Sequence, residues 1–371
     1  MGEVQELQLQ IMVQEDKEAN ASEHTKDVNQ SPLPRARNWK WWLRIALCTV
    51  FVLSGQAVGT LLGRLYFNNG GKSKWMATLV QLVGFPILLP YYCISPHKHP
   101  TTTGICSKPP SALKLTSVYV SLGLLIAADC YLYSVGLQYL PVSTYSLICA
   151  SQLAFNAFFS YFLNAQKFTA FIINSLVLLT ISSILLVFQN DSEGSNGVSK
   201  GKYALGFICT ILASAGYGFV LSLTQLCFQK VLKRETFSVV MDMIIYQSTV
   251  AVCAVLVGLF ASGEWSNLNQ EMDEFKTGKV SYLMVLIWTA ISWQVYGVGL
   301  VGLIFEVSSL FSNAIGVFGL PIVPVLAIIF FHEKMDGIKG ISMVLAIWGF
   351  ASYVYQQYLD YQKLKTVNIK D

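Results

Sequence analysis

Apolar residues come in long blocks along this chain, separated by short polar stretches that hold most of the charge. Several blocks reach the roughly 20 residues that cross a bilayer core. Taken as runs bounded by charges, Gly and Pro, they predict spans near 41–66, 75–94, 114–139, 142–163, 169–189, 203–229, 239–262, 280–305, 307–331 and 338–358. The third and fourth are separated almost solely by Pro141, the eighth and ninth by Glu306, so each pair turns straight back. Residues 1–40 are polar, mixed in charge and end in "SPLPRARNWK". With no stretch of the signal-peptide type, they read as a disordered tail, and the first helix as the internal targeting signal. Residues 359–371 form a second polar tail.

An even number of spans puts both termini on one side. If that side is the cytoplasm, sixteen of the 25 Lys and Arg fall inside and nine outside. This is the sense of the positive-inside rule. Asn190-Asp191-Ser192 then lies outside and can accept a glycan, whereas Asn20-Ala21-Ser22 cannot. The chain also repeats itself. "YSVGLQYLPVST" starts at Tyr133 and "YGVGLVGLIFEVSS" at Tyr296, an offset of 163 residues, each across the same turn of its own half. Halves of five spans insert in opposite senses, and inverted repeats of this kind are a transporter pattern. The expected fold is an all-α integral membrane protein with ten transmembrane helices in two inverted repeats of five. The first repeat is 41–189 and the second 203–358.

Composition sharpens the class. Hydrophobic residues make up 54% of the 371 positions and charged ones only 12%, with a mean hydropathy of +0.51. Soluble domains carry about 25% charged residues, so too little polar surface is left to face water. The net charge of +4 is small and its cations lie between the apolar runs, which argues against nucleic-acid binding. Seven of the eight Cys fall in apolar runs, where Cys behaves as a small hydrophobe. Only Cys106 lies in a loop, and no metal or redox spacing arises. "HEKMD" at His332 lacks the second His of a zinc-protease motif. No Ser/His/Asp set, P-loop or carboxylate pair appears, so no enzyme, metal or cofactor is expected.

Four stretches carry a family likeness: "SGQAVGTLLGRLYFNNGGKSKWMATLVQLVGFP", "YLPVSTYSLICASQLAFNAFFSYFL", "VLSLTQLCFQKVLK" and "GLIFEVSSLFSNAIGVFGLPIVPVLAIIFFHEKMDGIKG". They resemble the plant purine permease family of the drug/metabolite transporter superfamily, from about Trp41 to Asp360. The resemblance implies ten helices in two inverted halves and proton-coupled uptake of adenine, cytokinins or related nitrogen heterocycles. It also implies residence in the plasma membrane. Family members often show Asp-Asn before the tyrosine pair, where this chain has Asp129-Cys130.

Asp129 stands about fifteen residues into the third span. A charge at bilayer depth costs at least about 2.5–3.5 kcal/mol. With no basic partner in its own helix, such a carboxyl can bind and release a proton, as a proton-coupled carrier requires. The other reading is a structural Asp hydrogen-bonded to a neighbouring helix. Glu306, Asp242, Arg44 and Arg64 lie near span ends and read as topological or gate residues.

A purine is flat, with donor and acceptor edges. Its recognition asks for an aromatic face and for amides, which both donate and accept. The candidate amides are Gln56, Gln81, Gln152, Asn156, Gln294 and Asn313. The candidate rings are Tyr131, Tyr133, Trp288, Trp293 and Tyr296. Packing against lipid or another helix is the competing role for each ring. Adjacent helical residues differ by about 100°, so Trp293 and Gln294 cannot both point squarely at one ligand. Pro321 and Pro324 are expected to bend the ninth span. Two other functions compete. A nucleotide-sugar or sugar-phosphate carrier would call for deep Lys or Arg against the phosphate, and none is found at midspan. A non-transport receptor would leave the repeat unexplained.

Overall fold

The computed structural model describes residues 39–90, 112–165, 169–187, 200–232, 237–333 and 335–367. The chain divides into two units, 1–44 and 45–371. The described part of the first is the opening of a helix, in which the Trp41 and Trp42 rings meet edge to face at 5.0 Å. Everything below concerns the second. The sequon at Asn190, nearly all of the tail 1–40 and the end of span two at 91–94 lie outside the described residues.

The apolar blocks fold as helices: α1 (Trp39–Asn68), α2 (Lys74–Leu82), α3 (Ala112–Tyr139), α4 (Val142–Cys149), α5 (Gln152–Asn164), α6 (Ala170–Val187) and α7 (Lys200–Cys227). Then come α8 (Phe237–Ala261), α9 (Leu268–Asp273), α10 (Lys279–Glu306), α11 (Ser309–Gly319), α12 (Ile322–Phe331) and α13 (Gly337–Val367). Among the described residues there is no strand. Seven helical stretches are long and apolar enough to cross a membrane, and Lys74–Leu88 and Gly337–Ser352 are shorter apolar helices. Large apolar side chains such as Val50, Phe162, Val257, Ile329 and Trp348 stand exposed on the outer faces. Water would not tolerate that surface and lipid does. This is a multi-pass membrane protein.

The elements depart from unbroken spans in three places. Span two stops at Leu82 and continues as a tight turn, Phe85–Leu88, where Pro86 interrupts the backbone bonding. Span four breaks between α4 and α5, where the Ser151 hydroxyl donates to the Ile148 carbonyl at 2.8 Å and competes with the helical ladder. Span nine breaks at Pro321, the N-cap of α12. At the other extreme α13 runs on through Val367, past the expected end at 358.

Breaks leave helix ends inside the protein, and side chains from elsewhere satisfy them. The Arg64 guanidinium on α1 donates to the Leu137 and Leu140 carbonyls closing α3, both at 2.9 Å. The Glu333 carboxylate accepts from the Val142 and Ser143 amides opening α4, at 2.9 and 3.1 Å, and from the Ser143 hydroxyl at 2.6 Å. Gln225 Oε1 accepts from the Ser309 amide opening α11 at 2.9 Å.

One end of the bundle is laced shut. The loop from α8 to α10 carries Glu271, only 4% exposed. Its carboxylate accepts from the Tyr66 and Tyr282 hydroxyls and from the Lys72 and Ser73 amides at 2.9 and 3.0 Å. Glu264 accepts from the Ser73 hydroxyl at 2.6 Å, and the Lys276 amide donates to the Asn69 carbonyl at 3.0 Å. The turn between α1 and α2 is thus held by the second half of the chain. Glu271→Ala leaves the Tyr282 hydroxyl and the Lys72 and Ser73 amides without their acceptor, while the Tyr66 hydroxyl keeps the Ser73 carbonyl at 3.2 Å. Unmet groups of this kind cost roughly 1–3 kcal/mol each, so thermal unfolding of the detergent-purified variant should begin several degrees lower.

Candidate functional site

The helices enclose a cavity of about 160 Å³ at their centre. An apolar cavity of about 150 Å³ takes up a benzene ring, which sets the scale. Helices α1, α3, α7, α8 and α10 supply most of the wall, with Tyr145 from α4 and Gln152 from α5. Along α10 the lining runs from Trp293 to Ile304, about 16 Å at the helical rise. It therefore extends away from the laced end. A much smaller space of about 20 Å³ lies on the far side of Trp293, Gln81 and Tyr145, which line both, and reaches Tyr66.

Buried polar atoms in folded proteins are nearly always hydrogen-bonded, and each exception asks for a reason. Here five exceptions surround one cavity. Gln56 Oε1, Asp129 Oδ1, Gln152 Nε2, Gln247 Oε1 and Gln294 Nε2 are buried with no partner in the fold, and all five residues line it. Between them stand the rings of Tyr133, Tyr145, Tyr217, Trp293 and Tyr296. Trp293 and Tyr296 meet edge to face at 5.3 Å. The Tyr217 and Tyr296 hydroxyls bond to each other, and Tyr133 donates to Gln152 Oε1 at 3.3 Å. Among the described residues, no Lys, Arg or His lines the cavity. The arrangement suits a flat, uncharged molecule with several polar edge atoms.

Two glycines set the side chains that matter. A methyl at Gly216 would lie 2.6 Å from Asp129 Oδ1, so the carboxyl group rests on the bare backbone of α7. A methyl at Gly59 would lie 2.9 Å from the Trp293 indole, which rests on α1 in the same way. That contact lets Trp293 and its neighbour Gln294 both reach the cavity although they point in different directions.

Of the candidates read from the sequence, Asp129, Gln56, Gln81, Gln152, Gln294, Tyr133, Trp293 and Tyr296 come together here. The others sit elsewhere. Trp288 is 56% exposed on the outer face of α10. Tyr131 packs on Trp75 at 4.3 Å between ring centres. Asn313 donates to the Gln152 carbonyl at 3.1 Å. Asn156 ties three helices together: its amide donates to the Ser309 carbonyl at 3.1 Å, and its Oδ1 accepts from Ser222 at 2.7 Å. Sequence reasoning passed over Gln247, although it stands as a lone amide within apolar α8, the same signal that marked Gln56 within α1.

A helical membrane protein enclosing an amide- and aromatic-lined cavity is the class these observations define. Residues 43–363 match the family described as purine nucleobase transmembrane transport, and the chain belongs to that family. An Arabidopsis thaliana protein named "Probable purine permease 10" is 62% identical over 362 residues, covering 96% of this chain and 93% of that one. "Purine permease 21" from the same plant is 59% identical over 365 residues, 97% of this chain and 93% of its own. "Probable purine permease 8", also from that plant, is 59% identical over 343 residues, 92% and 87% of the two chains. A solved structure titled "Crystal structure of protein" covers 82% of this chain and 97% of its own at 13% identity, with a TM-score of 0.46, too slight a likeness to carry weight.

The position of Asn156 has a direct test. Asn156→Ala removes the side-chain donor to the Ser309 carbonyl and one acceptor of the Ser222 hydroxyl, which keeps Ser160 and the backbone carbonyl of residue 156, a loss of roughly 1–3 kcal/mol. The variant's thermal midpoint should fall, while the protein that remains folded binds labelled purine with unchanged affinity.

Proposed function

We propose that the protein is a secondary transporter that carries purine nucleobases, cytokinins or similar nitrogen heterocycles together with protons, by alternating access. The observation that carries this reading is the set of five unpartnered polar atoms around one aromatic-walled cavity with no cation in its wall. Family membership and the names of the relatives support the same substrate class. Gln56, Gln152, Gln247 and Gln294 pair with the heterocycle's edges, Trp293 and Tyr133 offer ring faces, and Asp129 is the proton-coupling group. Trp288, Tyr131, Asn156 and Asn313 support these elements from outside the cavity.

The proposal includes ten spans in two inverted repeats, 41–189 and 203–358, with tails 1–40 and 359–371 in the cytoplasm of a plasma-membrane protein. Two features support the repeat. Gly136 of the first motif abuts Thr210 of α7, and the matching Gly299 abuts Cys48 of α1, as exchange of the halves requires. The span after each motif is broken. The Lys/Arg distribution supports the orientation. On that orientation the laced end is external and the long arm of the cavity points to the cytoplasm. Transport then requires the Glu271 contacts to part while the other end closes.

Uptake of labelled adenine by cells lacking their own purine carriers tests the function. Uptake above that of empty-vector cells, and changing with an imposed pH gradient, is the expected result. Gln294→Ala should leave an edge of the ligand unpaired in a dry site and weaken apparent binding by roughly 1–3 kcal/mol at normal surface expression. Asp129→Asn keeps size and hydrogen bonding but cannot titrate. In proteoliposomes it should lose accumulation driven by a pH gradient and keep exchange of substrate for substrate. Gradient-driven accumulation with normal pH dependence in that variant would make Asp129 a structural residue.

A further inference from the structure

A glycine inside a helix destabilises it relative to alanine, so one is expected where a neighbour crowds it or φ is positive. Most buried glycines here meet the first condition. A methyl at Gly55, Gly218 or Gly299 would lie 2.6 Å from a backbone atom of another helix. Gly316, within α11, meets neither condition. Its φ is not positive, and a methyl there would approach no atom closer than 3.7 Å, an ordinary contact. Packing does not call for this glycine.

The atoms nearest that point share a chemistry. They are the Tyr296 hydroxyl at 3.7 Å, Gln56 Oε1 at 3.8 Å and Gln152 Nε2 at 3.9 Å, from α10, α1 and α5. Gln56 and Gln152 are 6% and 3% exposed, and these two amide atoms have no partner in the fold. Tyr133 donates to Gln152 Oε1 at 3.3 Å, which leaves Nε2 turned toward Gly316. The Tyr296 hydroxyl is held by that of Tyr217. One free acceptor and one free donor therefore converge over bare helix backbone, and both residues line the cavity.

We propose that the space over Gly316 is the subsite for one edge of the heterocycle, and that Gly316 is a specificity-determining residue. The edge it fits is of amidine type, an N–H beside a ring nitrogen: Gln56 Oε1 accepts from the N–H and Gln152 Nε2 donates to the ring nitrogen. This rests on the purine reading above and adds which pair of groups takes that edge and what keeps the place open. A methyl at 316 stands where the edge must dock, yet the fold has room for it.

The test uses purified full-length protein, labelled adenine, and the variants Gly316→Ala, Gln152→Leu and both together. Gly340→Ala on α13, where a methyl likewise meets nothing within 4 Å, serves as the control. Gly316→Ala should weaken adenine binding about tenfold or more, with a thermal midpoint equal to or above that of the wild type. The double variant should bind no worse than the weaker single one, because both changes break one contact. The control should bind as the wild type does. Adenine binding by Gly316→Ala within about twofold of wild type overturns the subsite, as does a lowered midpoint or full additivity. If the wild type itself binds no adenine, the purine reading fails and the subsite falls with it. Wild-type binding with an unaffected Gly316→Ala sinks the subsite alone.

Discussion

Inside a bilayer there is no water to take up an unmet hydrogen bond, so every polar group there must find a partner within the protein. The rest of this structure follows from that constraint. Helices satisfy their own backbones, and the places where helices break are the places that need help. Arg64 closes α3, Glu333 opens α4 and Gln225 opens α11. The lattice around Asn156, Ser160, Ser222 and Ser309 binds α5, α7 and α11 on the same terms.

Against this background the central cavity is the exception. Four amide atoms and one carboxyl atom without partners collect around that one space, whereas the other unpartnered amide atoms among the described residues, of Gln138, Asn164 and Asn313, lie outside its wall. Folding leaves each without a protein partner, so a ligand that supplies the missing partner gains a hydrogen bond there in place of solvent. A ligand that cannot supply it leaves the deficit in place. Selectivity for a polar-edged heterocycle over an apolar ring of the same size follows from that difference.

The two ends of the bundle are built differently. At one, a short helix and its flanking turns place Glu271 and Glu264 on the turn between α1 and α2, with several bonds concentrated on two carboxylates. Toward the other, the cavity wall is aliphatic, with Val220, Ile244 and Ile304. Directional bonds hold one geometry and separate together, whereas aliphatic surfaces slide. Trp293, Gln81 and Tyr145 stand between the cavity and the laced end, so a ring movement at Trp293 would join the two spaces.

The amino-acid sequence by itself determined the membrane class, the helical elements, the turns at Pro141 and Glu306, and the rarity of a carboxyl at Asp129. These are local properties, since apolar length and a lone charge are visible along one strand of text. It also marked amides and rings as the chemistry of the site. It did not sort them. Asn156 and Gln152 are four residues apart, yet one ties helices together and the other faces the cavity. Trp288 and Trp293 share a helix, yet one lies on its outer face and the other against Gly59. Which face of a helix turns inward depends on what the other helices offer it. Only the tertiary structure, by packing glycine backbone against α1, α7 and α10, decided which polar atoms would be left without partners.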